Sequence, residues 1–168
     1  KPINAKVALL LNDSIIIIGT HVSLYQLNTR TEKIAPLNNH LTRVTSITSY
    51  NEHLIYYGST DGLHKYDIDQ QKDIRLDKTN PLLEERVVSL CTDVDQIIWV
   101  ATAGNGIVAV QNDTVLAHFT TQQGLINNSI RTISVGKKGQ ILVGTNEGIS
   151  FIDYSKSMTQ PDIKNIST

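Results

Sequence analysis

The chain has 168 residues, a formal net charge of −1 and a single cysteine. A near-neutral balance gives no electrostatic footprint for nucleic acid or an anionic membrane surface, and one Cys excludes a disulfide framework or a thiolate metal cluster. The longest apolar runs, such as Val7–Leu11, hold about five residues against the ~20 needed to cross a bilayer.

In chain order, an apolar segment around Val7–Leu11 comes first, then IIIIGT at Ile15–Thr20 and a third apolar segment opening at Leu24. The second stretch begins with Val44 and Ile47 and a polar turn at Ser49–His53. LIYYGS at Leu54–Ser59 follows, then Asp61-Gly62, a strand from Leu63, and a more polar strand over Lys72–Asp77. The third has Val87 and Leu90, the turn Thr92–Gln96, IIWVAT at Ile97–Thr102, Asn105-Gly106, a strand from Ile107 and another over Thr114–Thr120. The fourth has Ile130 and Ile133, the turn Gly136–Gln140, ILVGT at Ile141–Thr145, Glu147-Gly148 and a strand from Ile149. Asp-Gly and Asn-Gly supply the positive φ angles that tight hairpins need. No stretch carries capped helical periodicity.

The small residues that close the second strand of each unit, Gly19, Gly58, Ala101 and Gly144, lie 39, 43 and 43 positions apart. A period of about 40 residues made of short strands is the spacing of propeller blades. The reading is therefore all-β, with four consecutive four-stranded antiparallel blades, A innermost to D on the rim, at about 1–40, 41–83, 84–126 and 127–168. Most rings hold more than four blades, and Lys1 stands directly ahead of a strand, so a partial propeller cut from a larger array of blades is expected. A closed four-bladed ring is the alternative.

Strand B is apolar at consecutive positions, which requires cover on both faces. Trp99 and its counterparts, read as Tyr56, Ile16 and Leu142, are expected between blades. The Gly or Ala ending strand B implies close approach of a neighbouring strand or blade. The first unit lacks the turn glycine and its strand A reads one residue out of phase. An incomplete ring would leave apolar faces bare, through Val7, Leu9, Ile16 and Ile18 in blade one and Ile141 and Val143 in blade four. Those faces would meet other propeller blades or a second copy.

The segment HFTTQQGLINNSIRTISVGKKGQILVGTNEGISFID, His118 to Asp153, resembles the two-component-regulator propeller repeat. Phe119-Thr120, Gly124-Leu125, Asn128-Ser129, Gly139, Gly144-Thr145 and Gly148-Ile149 stand at its marked positions, and Trp99 stands where the family places its strand-B Trp. The other blades depart from the pattern, with Leu142, Tyr56 and Ile16 in the Trp place and Gly-Leu present once. The resemblance implies the periplasmic sensor region of a hybrid histidine kinase/response regulator, which recognises glycan fragments and passes the signal to cytoplasmic modules.

Residues capable of chemistry form no recognisable constellation. Gly104 to Ala109 fits Gly-x-Gly-x-x-Ala, yet a strand follows where pyrophosphate binding needs a helix N-terminus. His21, His40, His53, His64 and His118 show no metal-ligand spacing, and His64 and His118, on outer strands, are expected to face solvent. Asp93/Asp95 and Asp67/Asp69 lack the rest of a calcium loop. Cys91, on an inner strand, reads as a buried inert thiol. There is no nucleophile motif, so the expectation is a non-enzyme with no catalytic residue, metal or cofactor.

Function is therefore sought in loops. The D–A and B–C connections share one face, where loop variation makes binding sites. Asn39, His40, Asp61, Asn105, Asn127, Asn128 and Glu147, with His21 beside them, are the candidate contacts for an oligosaccharide, because amides and carboxylates match sugar hydroxyls. The exposed aromatic platform of many sugar sites is missing. The competing class is a scaffold or protein-interaction propeller without a small ligand.

Overall fold

The computed structural model describes residues 3–37 and 41–167. Asn39 and His40 lie outside them. Blade one contains β1 (Ala5–Asn12), β2 (Ile15–Thr20), β3 (Leu24–Asn28) and β4 (Lys33–Pro36). Blade two contains β5 (Val44–Ser49), β6 (Leu54–Ser59), β7 (Gly62–Asp67) and β8 (Lys72–Arg75). Blade three contains β9 (Val87–Thr92), β10 (Ile98–Thr102), β11 (Ile107–Gln111) and β12 (Thr114–Phe119), and blade four β13 (Ile130–Val135), β14 (Gln140–Thr145), β15 (Ile149–Asp153) and β16 (Asp162–Ile166). Each blade is an antiparallel sheet in sequence order, and β1, β5, β9 and β13 stand side by side. The fold is a partial β-propeller. The described residues include no α-helix; Leu76–Lys78, Pro81–Leu83 and Thr121–Gln123 form single 3₁₀ turns.

The recurring small residue is explained by the next blade. A Cβ on Gly19 would lie 2.5 Å from Cγ1 of Val44, and one on Gly58 2.4 Å from Cγ1 of Val87. Each of those valines opens strand A of the following blade. It is a side chain, more than backbone, that needs the space. The Ala101 methyl packs in the same cluster as Ile130, which opens blade four.

The hydroxyl after the small residue closes the B–C turn. Thr20 Oγ1 donates to the carbonyl of Ser23 (2.9 Å), Ser59 Oγ to Gly62 (3.2 Å), Thr102 Oγ1 to Gly106 (3.0 Å) and Thr145 Oγ1 to Gly148 (3.1 Å). The same oxygens accept from the turn amides of Val22, Asp61, Asn105 and Glu147. In three of the turns the same carbonyl also accepts from the backbone amide of that Thr, so the hydroxyl adds a second bond to the turn. The second half of the signature is thus structural.

The core is a series of interblade layers. Ile17, Leu24, Val44, Ile47, Ile55, Tyr57 and Tyr66 fill the first, between blades one and two. Tyr56, Leu63, Val87, Leu90, Ile98 and Val100 belong to the second. Trp99, Ala101, Phe119, Ile130, Ile133, Ile141 and Val143 belong to the third. Alternate residues of β10 enter different layers, as a strand covered on both faces requires. Trp99 and Tyr56 are buried as expected.

Three expectations are corrected by register. Trp99 pairs with Cys91, Tyr56 with Thr48, Leu142 with Ser134 and Ile17 with Leu9, so the blade-one counterpart is Ile17, not Ile16. Ile17 is fully buried, whereas Ile16 and Leu142 are half-buried because they point away from the neighbouring blades. Strand β1 is also in phase: its irregularity between Ala5 and Val7 falls where β5 has one between Val44 and Ser46. Thirdly, Val7 and Leu9 pack on blade two, and Ile141 and Val143 on blade three. The bare faces instead carry Leu10, Ile16 and Ile18 in blade one and Leu142, Ile149, Phe151 and Ile166 in blade four. A groove of about 570 Å³ runs over blade four's face between Gln140, Phe151, Lys164 and Ile166.

Polar bonds fix the stacking. Ser46 Oγ accepts from Leu90 N (2.9 Å), and Ser89 Oγ, one blade on, from Ile133 N (3.3 Å). Thr45 Oγ1 donates to Val87 O at 2.6 Å. On the opposite rim Asp113 joins blades three and two, accepting from Tyr56 Oη (3.0 Å) and pairing with Lys65.

Candidate ligand-binding face

Strand A begins, strand B ends, strand C begins and strand D ends on one face, so the D–A and B–C connections meet there, as the pairing of Ile130 with Thr145 shows for blade four. The loop after β12 illustrates how it is built. Thr120 caps the 3₁₀ turn Thr121–Gln123 in a reciprocal capping box with Gln123, and Gly124 closes it at φ 108°. Leu125 then drops into the core. The marked positions from Phe119 to Ser129 therefore hold a hydrogen-bonded turn, with a buried aromatic at one end and a buried leucine after the glycine.

The expected sugar contacts divide among local networks. Asn127 Nδ2 donates to Glu147 Oε1 at 2.5 Å, and its Oδ1 accepts from Ser129 N at 2.6 Å. Asn128 Oδ1 accepts from Thr121 N (2.7 Å), and its carbonyl accepts from Gly106 N (2.9 Å), beside exposed Asn105. Asn105 thus neighbours the Asn127–Glu147 pair across the blade-three/four junction. Asp61 belongs to blade two, where its carboxylate accepts from Thr42 and from Thr60 Oγ1 (3.1 Å), with Arg75 Nη2 at 3.8 Å. These oxygens and amides serve the loops that carry them. Among the described candidates, Asn105 and His21 have side chains that are exposed and bound by no described hydrogen bond.

The histidines correct a further expectation. His64 is fully buried, stacked on Tyr57 at 4.7 Å, because β7 is covered by blade one on that face. Its Nε2 lies 3.1 Å from Ser59 Oγ and its Nδ1 4.0 Å from Asp73 Oδ1, while Tyr57 Oη donates to Asp73 Oδ2 at 2.6 Å. A Ser–His–Asp series is present, but Ser59 has no accessible surface and its hydroxyl holds the B–C turn. A substrate cannot reach it. His118 is half-buried, with Nε2 2.6 Å from the carbonyl of Asn105. Burial, and then the charge of Asp93, push the Cys91 thiol up to about 12, which keeps it protonated and unreactive.

Sequence reasoning missed a basic arc. Lys6, Arg43, Arg86 and Arg131, one from each blade, line a single open pocket of about 340 Å³ with Thr45, Val88 and Ile130. All four are exposed. Arg131 Nε donates to the neutral Asn146 Oδ1 at 2.7 Å. Among the described residues no carboxylate stands within ion-pair distance of any of the four. Partial desolvation, then the charges of Lys6 and Arg43, hold the His21 imidazole below its usual range. The signal was available in the repeat: Arg43 and Arg86 directly precede Val44 and Val87, and Lys6 and Arg131 directly follow Ala5 and Ile130.

No protein-family model matches the chain, and no curated protein does. Solved structures do. The extracellular domain assigned to a hybrid two-component system of B. thetaiotaomicron, BT3049, superposes with a TM-score of 0.77 at 23% identity, over 95% of this chain and 23% of that one. The corresponding domain of BT4673, from the same organism, gives 0.79 at 15% identity over 98% and 22%. The WD40 propeller of Doa1 gives 0.67 at 14% over 84% and 47%. The likeness establishes the propeller fold, and the chain spans under a quarter of the length of the two extracellular domains. Among the described residues no helix is long and apolar enough to cross a membrane.

Proposed function

We propose that the chain is a segment of the extracytoplasmic, periplasmic propeller of a two-component receptor, sensing a glycan fragment and performing no catalysis of its own. One observation carries the reading: over almost its whole length the chain superposes on extracellular domains assigned to two hybrid two-component systems. The resemblance of His118 to Asp153 to the two-component propeller repeat supports it. A histidine kinase belongs to the parent receptor in this reading. The bare faces of blades one and four are met by further blades.

The test is calorimetry of the complete extracellular region against a panel of glycan fragments, beside kinase autophosphorylation of the intact receptor. A fragment that binds and changes autophosphorylation is expected. Turnover of any panel member by the chain, or a receptor indifferent to every fragment, would overturn the reading.

A further inference from the structure

We propose that Lys6, Arg43, Arg86 and Arg131 bind an oligosaccharide fragment bearing two or more sulfate or carboxylate groups. The saccharide part rests on the sensing reading above; the anionic part rests on the pocket alone. Four blades each bring one cation to one concavity, and no described carboxylate neutralises them. The chain elsewhere pairs Lys65 with Asp113, Arg75 with Asp77 and Lys164 with Asp162. Like charges gathered without a partner repel, so the arrangement gains most when an anion enters.

Size and screening narrow the ligand. A volume of about 340 Å³ lies near the lower end of small-molecule pockets, about 300–1,000 Å³, and admits a short fragment but not a folded partner. The cations are exposed, so each contributes modestly and is screened beyond about 8 Å at physiological salt. A single charge would be held weakly, whereas several charges on one short scaffold engage several blades together. Guanidinium forks match sulfate and carboxylate oxygens, and Asn146 orients Arg131 without cancelling its charge. The floor of Val88, Ile130 and Thr45 adds apolar contact; the Thr45 hydroxyl is taken by Val87 O. Nucleic acid fits poorly, because the cations are confined to one pocket on a chain of net charge −1 and do not extend as a stripe.

The experiment titrates the 168-residue chain with a disulfated chondroitin disaccharide, digalacturonate, cellobiose and inorganic tripolyphosphate, at about 50 and 200 mM salt. The acidic disaccharides are expected to bind, to weaken as salt rises, and to outbind both cellobiose and tripolyphosphate. Arg43→Gln with Arg86→Gln should weaken them at least tenfold, and Lys137→Gln with Lys138→Gln, in an A–B turn on the far rim, should change nothing. Matching melting curves show that the variants are folded. Tripolyphosphate binding as tightly as the best disaccharide would reduce the pocket to a general anion trap and overturn the proposal. So would acidic binding indifferent to Arg43→Gln and Arg86→Gln, or no acidic binding. Cellobiose binding as tightly as the acidic disaccharides, and unchanged by those substitutions, would remove the anion site and keep glycan sensing. Failure of every saccharide, with the complete extracellular region as well, would remove both.

Discussion

The phenol of Tyr154, in blade four, donates its hydrogen bond to the carboxylate of Asp93, in blade three. The same Oδ2 accepts from Trp99 Nε1 at 2.8 Å, and Oδ1 accepts from the amides of Asp95 and Ile97, both at 2.9 Å. One buried acid thereby gathers four donors and locks the A–B turn of blade three to blade four. Tyr154→Phe should cost about 1–2 kcal/mol and Asp93→Ala more, since each buried donor left without a partner costs about 1–3 kcal/mol. Urea denaturation measures both. Trp99→Ala should cost about 3–5 kcal/mol, and the native Trp99 emission should be blue-shifted. A water-like emission maximum would contradict the burial.

Alkali should loosen the fold in a defined window. Cys91 is pushed up to about 12 from 9.0, and burial followed by Asp93 raises Tyr154 further above its ordinary 10.0. Burial, then Asp113, does the same to Tyr56. A group whose folded pKa is raised contributes stability below its unfolded pKa, and that stability is lost as pH rises through the folded one. The melting temperature should therefore fall from about pH 9 toward pH 12, with the tyrosines adding to the slope above pH 10. Cys91→Ala should flatten the first part of that slope. A flat profile would show that these groups are solvated.

The glycine signature predicts a paired effect. Gly58→Ala places a methyl against Cγ1 of Val87, 2.4 Å away, and overpacking of this kind costs about 1–3 kcal/mol. Val87→Ala in the same chain should recover part of the loss, because the two side chains compete for one space. Strictly additive losses in a double-mutant cycle would refute the direct contact.

Fold was legible in the sequence because the blade repeats as a unit: the small residue, the hydroxyl and the polar turn recur in phase, and each has a geometric cause between Gly58 and Val87 or within the Thr102–Gly106 turn. The site was less legible. Asn127, Asn128 and Glu147 read as free loop polarity, but a loop that crosses the surface must satisfy its own backbone, and these side chains do so. His64 misled because an outer strand is normally half wet, whereas here Tyr57 and blade one cover it. The basic arc joins residues up to 125 positions apart, and only closure of the blades around an axis makes them neighbours.

The two bare faces are not equivalent, and this sets the last prediction. On blade four, Gly144 has only its own Thr132 nearby, at 2.9 Å from an added Cβ, where Gly19 and Gly58 meet the next blade's valine. Thr132 is exposed at the position from which Ser46 and Ser89 accept the next blade's amide. That face is shaped for a strand A presenting Val or Ile and, three residues on, Leu or Ile. Blade one offers Ala5 and Ala8 there, so a second copy docking head to tail would leave the space underfilled. A second copy of residues 84–126, joined after residue 168, should dock, protect the β14 amides from exchange and reduce apolar-dye binding. Truncating the added copy's counterparts of Val87 and Leu90 to Ala should reverse this, the leucine alone contributing about 2–5 kcal/mol. Joining a second copy of blade one should give little protection. Equal protection by both copies, or tight head-to-tail oligomers of the chain alone in sedimentation, would show that the alanine pair does not discriminate.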